Sequence, residues 1–415
     1  MRAYERLIKY TQFAAASDST SDSCPSTLEQ LEFGRALVAE MLELGMKDAH
    51  LDENGYVFGT IEANIDNWDG PVIGFIAHMD VVRDVPYEKI KARVVENYNG
   101  GDILLNTELN IVLSPEEYPV LEHYVGKDLV VTDGTTLLGA DNRAGIAEIL
   151  TMAEILLTNP DIKHGTIKIA FTPDEEIGRG ADRFDVEKFG ADFAYTVDGG
   201  AFGEVEYETF NAATARVIVT GRNIHPGTAK NKMKNASLIA MEFNSLLPAV
   251  ERPEHTEGYE GFYHLIEMKG VVEEASLTYI IRDHDREKFE GKKEQLQRTA
   301  DWLNAKYGPD TVTLEITDTY YNMAEQIKPH WHLIETAYAA VREVGGEPYS
   351  IPIRGGTDGA RLSFMGLPCP NLGTGSHNHH SKFEFACVQA MDDCTAVLVK
   401  IAEKYGQLGK VKQKD

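Results

Sequence analysis

Three consecutive acids occur in the segment TPDEEIG at residues 172–178, directly after an apolar run. Acidic side chains this close together repel one another and are costly to bury, so they need either solvent or a cation beside them. A bound metal ion would provide such a cation and would reverse the local preference for neutral groups. The segment therefore leaves two alternatives, a solvated loop or part of a metal site.

Other residues that could bind a metal also follow short apolar runs. Three runs end in this way: residues 72–77 lead into His78 and Asp80, residues 167–171 into Glu175 and Glu176, and residues 193–197 into Asp198. Such runs predict strands buried on both faces of an α/β sheet, where ligands bind beyond the carboxyl ends of the strands. We therefore expect these side chains to converge on one edge of the sheet.

Asp141 belongs to a different kind of segment, the loop LLGADNRAG at residues 137–145. Apolar residues spaced as on a buried helix face follow it, between residues 146 and 157. An aspartate in that position is as well suited to cap the helix as to bind a metal. The local sequence leaves both interpretations open.

Together these candidates form a set of nitrogen and oxygen donors without a thiolate. The set consists of His78, Asp141, Glu176, Asp198 and one histidine of the cluster at residues 377–380. Such donors suit zinc, manganese or cobalt. Two histidines and three carboxylates exceed the three protein ligands of a usual catalytic zinc, but they fit two divalent ions that share a bridging carboxylate and a water.

The two adjacent glutamates can then be assigned different roles. In an extended chain successive side chains point in opposite directions, so one glutamate can bind metal while the other acts as a general base towards the bridging water. Asp80, two residues after His78, can accept the imidazole N–H and orient the ring.

Length, charge and cysteine content limit the possible domain number, partners and cellular location of the protein. A chain of 415 residues predicts two domains. The net charge of −26 argues against nucleic-acid binding. Four cysteines without a CxxC pair indicate a reducing cytoplasm, and neither a membrane span nor a signal peptide is predicted.

The order of elements predicts an α/β catalytic domain with an insertion. Residues 210–324 show a β-α-β-β-α-β pattern, typical of a ferredoxin-like unit, so we expect a catalytic domain formed by residues 1–209 and 325–415 around an inserted domain. Residues 84–126 are interpreted as an excursion outside the core.

The sequence resembles the peptidase T family of cytoplasmic tripeptide aminopeptidases, within the dinuclear-zinc peptidase superfamily that includes aminoacylases and related deacylases. The resemblance spans nearly the whole chain and rests on motifs in family order: AHMD, LLGADNRAG, TPDEEIG, VDGG, NIHPGTAK, IIRD, PIRGGTDGARLS and SHNHHSKFE. It implies a zinc-peptidase-type catalytic domain, with a mixed sheet flanked by helices, and an inserted lid or dimerisation domain.

The resemblance also implies roles for individual residues. His78 and Asp198 would bind one metal, Glu176 and His380 the other, and Asp141 would bridge them. Glu175 would be the general base and Asp80 the residue behind His78. His225 would steady the oxyanion in the partner subunit's active site, and Arg282 and Arg354 would bind substrate. From the residues alone, Arg282 is equally well explained by an ion pair with Asp283 or Asp285.

The chain departs from the family pattern in two places. Arg143 replaces the usual lysine and keeps the positive charge. In the histidine cluster, His379 stands where an aromatic residue is usual and Ser381 where glycine is usual. His379 is therefore a rival ligand, although the HN-x-H-x-K frame selects His380.

The expected protein is a cytoplasmic homodimer that binds two divalent metal ions per subunit, with zinc as the expected metal, and acts on small peptides. An N-acyl amino acid deacylase or dipeptidase with the same metal site is the enzymatic alternative. A non-catalytic peptide- or metal-binding scaffold is the alternative from another class, but it would be expected to lose Glu175.

Overall fold

The computed structural model describes residues 1–408 of the chain. The chain divides into two units. The main unit comprises Met1–Tyr207, Glu325–Ile351 and residues 357–408, and the inserted unit comprises Glu208–Ala324 and Pro352–Gly356. Within residues 1–408, no helix has both the length and the apolar character needed to cross a bilayer.

The strands and helices are numbered in chain order. The strands before the insertion are β1 His50–Leu51, β2 Val57–Ile61, β3 Ile73–His78, β4 Arg93–Val95, β5 Ile103–Asn106, β6 Ile111–Leu113, β7 Leu129–Val131, β8 Ile167–Thr172, β9 Phe193–Gly199 and β10 Val205–Glu206. Those that follow are β11 Asn211–Thr220, β12 Phe262–Gly270, β13 Glu274–Asp283, β14 Val312–Tyr320, β15 Asn371–Gly373, β16 Ser376–His377 and β17 Phe385–Cys387. The helices are α1 Ala3–Tyr10, α2 Leu28–Leu44, α3 Ala140–Thr158, α4 Val186–Phe189, α5 Ala236–Ser245, α6 Arg286–Tyr307, α7 Ala324–Ile327, α8 His332–Val344, α9 Asp358–Phe364 and α10 Val388–Gln407.

A seven-stranded mixed sheet forms the centre of the main unit, in the order β1-β2-β8-β3-β9-β15-β10. β8, β3, β9 and β15 are parallel to one another, and the outer pairings are antiparallel. Ile76 of β3 packs with Phe189 and Leu362 on one face, and Tyr195 of β9 donates a hydrogen bond to the Leu333 carbonyl of α8 on the other. This mixed sheet flanked by helices confirms the predicted fold.

Helix α3 places Asp141 beside the sheet. It packs against β3 and β9, and its residues Ile146, Ile149 and Leu150 are buried. Asp141 has φ −81° and ψ 102°, so it lies in the first turn without adopting helical geometry. Asn142 is also non-helical, with φ −120° and ψ 36°, so regular helical geometry begins only after these two residues.

The prediction that residues 84–126 lie outside the core is wrong. β4 joins a four-stranded sheet in the order β16-β17-β7-β4, and β5 and β6 pair as a hairpin. Tyr98, Ile103, Leu113 and Leu121 are buried in one apolar cluster with Phe385 of β17. Short strands interrupted by glycine and charged residues conceal this second core, and some of its partners, such as Phe385, lie more than 250 residues further along the chain.

The inserted unit has the predicted ferredoxin-like topology. Its four strands are antiparallel in the order β12-β13-β11-β14, and α5 and α6 bury apolar residues against the sheet. The Asn235 side chain caps α5 and the Asp285 side chain caps α6, each by accepting a hydrogen bond from a backbone N–H in the first turn. The Asn235 cap places the start of α5 at Ala236, and the Asp285 cap places the start of α6 at Arg286.

Candidate metal centre

The polar residues that follow the central strands lie at one edge of the main sheet. His78 ends β3 and is in register with Thr172 at the end of β8, its parallel neighbour. Asp198 lies near the end of β9, which is parallel to β3 on the other side. Because the carboxyl ends of parallel strands meet at the same edge, local strand endings bring together residues that are far apart in sequence.

A first group of possible metal ligands contains His78, Asp141 and Asp198. Nε2 of His78 lies 3.0 Å from Oδ1 of Asp141 and 3.3 Å from Oδ1 of Asp198. Nδ1 of His78 donates to the backbone carbonyl of Asp80 at 3.0 Å. In the neutral imidazole a proton on Nδ1 leaves the Nε2 lone pair available to a cation, which is the tautomer that a metal-binding histidine needs.

A second group contains Asp141, Glu176 and His380. Nε2 of His380 lies 2.9 Å from Oε2 of Glu176 and 3.1 Å from Oδ2 of Asp141. The two oxygens of Asp141 thus face different histidines, one in each group. This is the arrangement that a carboxylate bridging two cations requires.

The two groups differ in exposure. The His78 side chain is 2% exposed and that of His380 is 51% exposed. The two groups therefore differ in their histidines, since His78 is buried and His380 is exposed to solvent, while the carboxylates of both groups are only slightly exposed.

Glu175 belongs to neither group but lies beside the first. Its Oε2 is 4.0 Å from Nε2 of His78. Glu175 and Glu176 form a single 3₁₀ turn that ends at Ile177, so the extended backbone predicted for this pair is wrong. The turn nevertheless separates the two carboxylates, with Glu176 directed at His380 and Glu175 at the side of His78.

Asp80 and Asp174 hold this turn in place. Asp80 is fully buried, and its two oxygens accept hydrogen bonds from the backbone N–H groups of Glu175 and Glu176 at 3.0 and 3.1 Å. Oδ1 of Asp80 also lies 3.4 Å from Nδ1 of His78. Its carboxylate therefore contacts both the turn and the imidazole.

Asp174 explains the third acid of the TPDEEIG segment. It adopts a left-handed conformation with φ 59° and is buried. Its carboxylate accepts hydrogen bonds from the Ser26 backbone N–H at 2.8 Å and from the Gln30 side chain at 2.7 Å. The three acids are thus distributed in three directions: Asp174 anchors the loop, while its two successors face the candidate metal centre.

His379 also contacts the centre, but less closely than His380. Its Nδ1 is 3.7 Å from Oδ2 of Asp141, while Nε2 lies within hydrogen-bonding distance, 2.9 Å, of the Ser376 hydroxyl. The second group of ligands within residues 1–408 contains His380 rather than His379.

Electrostatics within the centre reflect crowded carboxylates. Burial raises the pKa of Glu176 to about 7, and the nearby Asp141 adds to the rise. Burial also raises the pKa of Glu175, with further contributions from Asp198 and other nearby acids. Hydrogen bonding to Asp141 and Glu176 raises the pKa of His380 to about 11. A concentration of negative charge in a buried site is stabilised by positive charge.

The residues present fit divalent cations. All five ligands offer nitrogen or oxygen atoms, and the donor atoms of each group lie within 4.8 Å of one another. Oε1 of Glu176 is buried and accepts no hydrogen bond from any described residue, so this carboxylate retains an unused donor atom. Donors of these types suit zinc or a similar divalent metal, and they differ from the thiolates of a structural zinc site.

Three predicted site residues belong to the inserted unit. His225 is exposed in a loop, where its Nδ1 accepts the Gly227 backbone N–H at 3.2 Å. Arg282 donates to the carbonyls of Ile281 and Ala213. Its two suggested ion-pair partners have other contacts: Asp283 lies 3.6 Å from Lys292, and Asp285 caps α6.

Arg354 binds the backbone of its own unit. It donates to the carbonyls of Thr256, Gly258 and Glu260, and its guanidinium lies 5.2 Å from the ring centre of Phe210. These contacts hold the loop at residues 256–260.

Two buried carboxylates near the centre were not identified from the sequence. Asp358 accepts a hydrogen bond from the Thr172 hydroxyl at 2.7 Å. The Asp358 carboxylate also lies so close to Gly180 that any side chain at that position would collide with it. Asp358 therefore lies between the two ends of the loop that carries Glu175 and Glu176. Glu384 contacts the backbone of the Asp141 loop. Both residues lie in motifs that carry the family resemblance, Asp358 in GGTDG and Glu384 in SKFE. The signal that could have identified them is an acidic residue flanked by small or apolar residues.

The chain is similar along nearly its whole length to a relative named peptidase T. It is 56% identical over 408 residues to peptidase T of Caldanaerobacter subterraneus subsp. tengcongensis, which covers 98% of this chain and 100% of the relative. The chain belongs to the peptidase T family. Membership of this family favours peptide hydrolysis over the deacylase and scaffold alternatives.

Other comparisons agree with membership of the peptidase T family. Residues 207–311 match a family model described as a peptidase dimerisation domain. The fold resembles that of a tripeptidase from Staphylococcus aureus, with a TM-score of 0.76, 20% identity and coverage of 98% of both chains. It also resembles a dinuclear metal binding peptidase of the M20 family from Bacillus subtilis, with a TM-score of 0.65, 16% identity and coverage of 98% of both chains. At these identities the two structures establish the fold.

Proposed function

We propose that this protein is a two-metal aminopeptidase that releases the N-terminal residue of tripeptides. The observation that carries the proposal is a carboxylate, Asp141, whose two oxygens face separate histidines, with Glu175 beside them but outside both ligand groups. The tripeptidase from Staphylococcus aureus supports the substrate length, and the M20 peptidase from Bacillus subtilis supports two metals.

The proposed ligands are His78 and Asp198 for one cation, Glu176 and His380 for the other, and Asp141 for both. Divalent cations bound there would lower the pKa of a shared water and polarise the scissile carbonyl. Zinc is the proposed metal, because each cation would have three nitrogen or oxygen ligands from the protein and no thiolate, as catalytic zinc usually has.

Glu175 is the proposed general base. Its carboxylate takes a proton from the attacking water as the water oxygen bonds to the carbonyl carbon, and then gives that proton to the amide nitrogen as the C–N bond breaks. The products are a free amino acid and a dipeptide with a new amino group.

Asp80 keeps this geometry by binding the backbone of the glutamate turn and lying against His78. His225 is proposed to donate a hydrogen bond to the oxyanion that develops on the substrate in the partner subunit's active site. Arg282 and Arg354 are proposed to contribute to substrate binding. We further propose a cytoplasmic homodimer in which residues 210–324 act as lid and dimerisation domain between the catalytic segments 1–209 and 325–415. The match of residues 207–311 to a peptidase dimerisation domain supports the dimer.

Substrate length and metal dependence can be tested together. The chelated protein is assayed with matched series such as Ala-Ala-Ala, Ala-Ala and N-acetyl-Ala, before and after addition of Zn²⁺, Mn²⁺ or Co²⁺. The proposal requires metal-dependent hydrolysis of tripeptides, with a higher kcat/KM than for dipeptides and N-acetyl amino acids. A preference for the N-acetyl amino acid would identify a deacylase instead, and activity that survives complete chelation would refute the two-metal mechanism.

A further inference from the structure

Glu384 binds the loop that carries the bridging aspartate. Its side chain is buried, with 2% exposure, and accepts three backbone hydrogen bonds. One oxygen, Oε2, accepts from Leu138 at 2.9 Å and from Gly139 at 2.6 Å, while Oε1 accepts from Asp141 at 2.9 Å. A single carboxylate thus satisfies three N–H groups at the start of α3, where a helix leaves its first N–H groups without backbone partners.

The backbone of this loop is shaped to receive a carboxylate. Gly139 has φ +72°, in the left-handed region, and a Cβ atom there would lie 2.4 Å from Nη1 of Arg143. Glycine at this position lets successive N–H groups turn towards one point, which is how backbone donors form an anion-binding concavity. The Glu384 side chain occupies that concavity.

Glu384 also belongs to the loop that carries His380. It follows His380 by four residues and immediately precedes β17, whose residues Ala386 and Cys387 pair with β7. The main sheet and α3 therefore support one end of the Glu384 contact, and the smaller sheet supports the other. Two ligands of the second group, Asp141 and His380, are joined through this carboxylate.

We propose that Glu384 is a positioning residue that sets the bridging geometry of Asp141 and its distance from His380. The inference rests on the proposed two-metal function. Asp141 has non-helical backbone angles, so its carboxylate direction depends on what holds its N–H. Since each oxygen of Asp141 faces a different histidine, rotation of this residue would disturb both groups of ligands.

Metal affinity provides the test. The Glu384→Gln variant keeps the size of the side chain but replaces one acceptor oxygen with an NH₂ group that faces backbone donors. Dissociation constants for Zn²⁺ are measured in the full chain by competition with a chromophoric chelator, and the visible spectrum of the Co²⁺-loaded protein reports ligand geometry. Because Asp141 belongs to both ligand groups, we expect both Zn²⁺ sites to lose affinity, by about 10- to 100-fold as for other residues that orient ligands, and the Co²⁺ bands to change.

Glu148→Gln is the matched control. Glu148 is a fully buried carboxylate on the same helix as Asp141, and neither of its oxygens has a hydrogen-bond partner among residues 1–408. Glu148→Gln should leave both Zn²⁺ constants and the Co²⁺ spectrum unchanged, whatever it does to stability. This control separates the general effect of a Glu-to-Gln change at a buried position near Asp141 from loss of the Asp141 contact.

The outcomes distinguish the inference from the function on which it rests. If the parent protein binds two Zn²⁺ ions and Glu384→Gln has the same dissociation constants and the same Co²⁺ spectrum, the positioning role is overturned. The proposed function would then still stand. Failure of the parent protein to bind Zn²⁺, Mn²⁺ or Co²⁺ would overturn both. If Glu384→Gln does not fold, Glu384→Asp is measured in the same way. The shorter aspartate side chain retains the carboxylate but cannot reach all three N–H groups. Unchanged Zn²⁺ dissociation constants in Glu384→Asp would also overturn the positioning role.

Discussion

The adjacent glutamates allow a sharp test, because the same chemical change at neighbouring residues should have different consequences. Glu175 lies outside both ligand groups, with its Oε2 4.0 Å from Nε2 of His78. Glu176 lies within the second group, 2.9 Å from Nε2 of His380. The variants Glu175→Gln and Glu176→Gln each remove one negative charge without changing side-chain size.

The expected loss of kcat follows from the proposed role of Glu175 as general base. A positioned general base contributes about 10²- to 10⁴-fold to a rate, so Glu175→Gln should lower kcat by that factor. At 1.36 kcal/mol for each tenfold change, this is about 2.7–5.4 kcal/mol of activation free energy. Because the backbone of the turn is held by Asp80 and not by the glutamate side chains, the ligand positions should persist in this variant.

The assay combines steady-state kinetics on a tripeptide with metal analysis of the dialysed protein. Glu175→Gln should retain about two metal ions per chain, and Glu176→Gln should retain fewer because an amide is a weaker ligand than a carboxylate. Equal loss of metal in the two variants would refute the division of roles, and so would an unchanged kcat in Glu175→Gln.

Three further predictions concern other parts of the molecule. His380→Ala should lower metal content measured by mass spectrometry and His379→Ala should largely spare it, because His380 lies 2.9 Å from a carboxylate of the second group; the opposite result would assign the ligand to His379. His225→Ala should lower kcat by about 10²- to 10³-fold, the usual cost of losing an oxyanion donor. When it is mixed with inactive Glu175→Ala under conditions of subunit exchange, activity should return, and its absence after demonstrated exchange would exclude a role in trans. Burial raises the pKa of Glu148 above its ordinary value of 4.5, so the folded state favours the neutral carboxyl group. The unfolded state can ionise this group more easily, so the free energy of unfolding falls as pH rises above 4.5. Glu148→Gln cannot ionise, so its advantage in Tm over the parent should grow between pH 5 and pH 8; a difference independent of pH would contradict the argument.

Much of the site could be predicted because its residues lie where local patterns end. An apolar run followed by polar residues identifies both a buried strand and the groups at its carboxyl end, as for His78 after β3 and Asp198 at the end of β9. The ferredoxin-like topology was equally accessible, because each of its strands and helices has its own periodicity. Such signals depend only on neighbours within a few residues.

Other features could not be predicted because they depend on contacts between distant segments. Asp174 was indistinguishable from its two acidic neighbours until Ser26 and Gln30 were found to bind it. The second core escaped prediction for the same reason, since residues near Ile103 are buried against Phe385. Neither contact leaves a periodic trace in the sequence.

The sequence by itself determined the chemical types of the donors, the strands that end beside them and the order of the inserted unit, because residue type and local periodicity are properties of short segments. Only the tertiary structure decided how those donors are divided. It placed Oδ1 of Asp141 near His78 and Oδ2 near His380, turned Glu175 away from Glu176, and placed Glu384 against the backbone of Asp141. Distances of 3 to 4 Å between side chains from separate segments are fixed by the packing of whole strands and helices, so they exist only once the chain has folded.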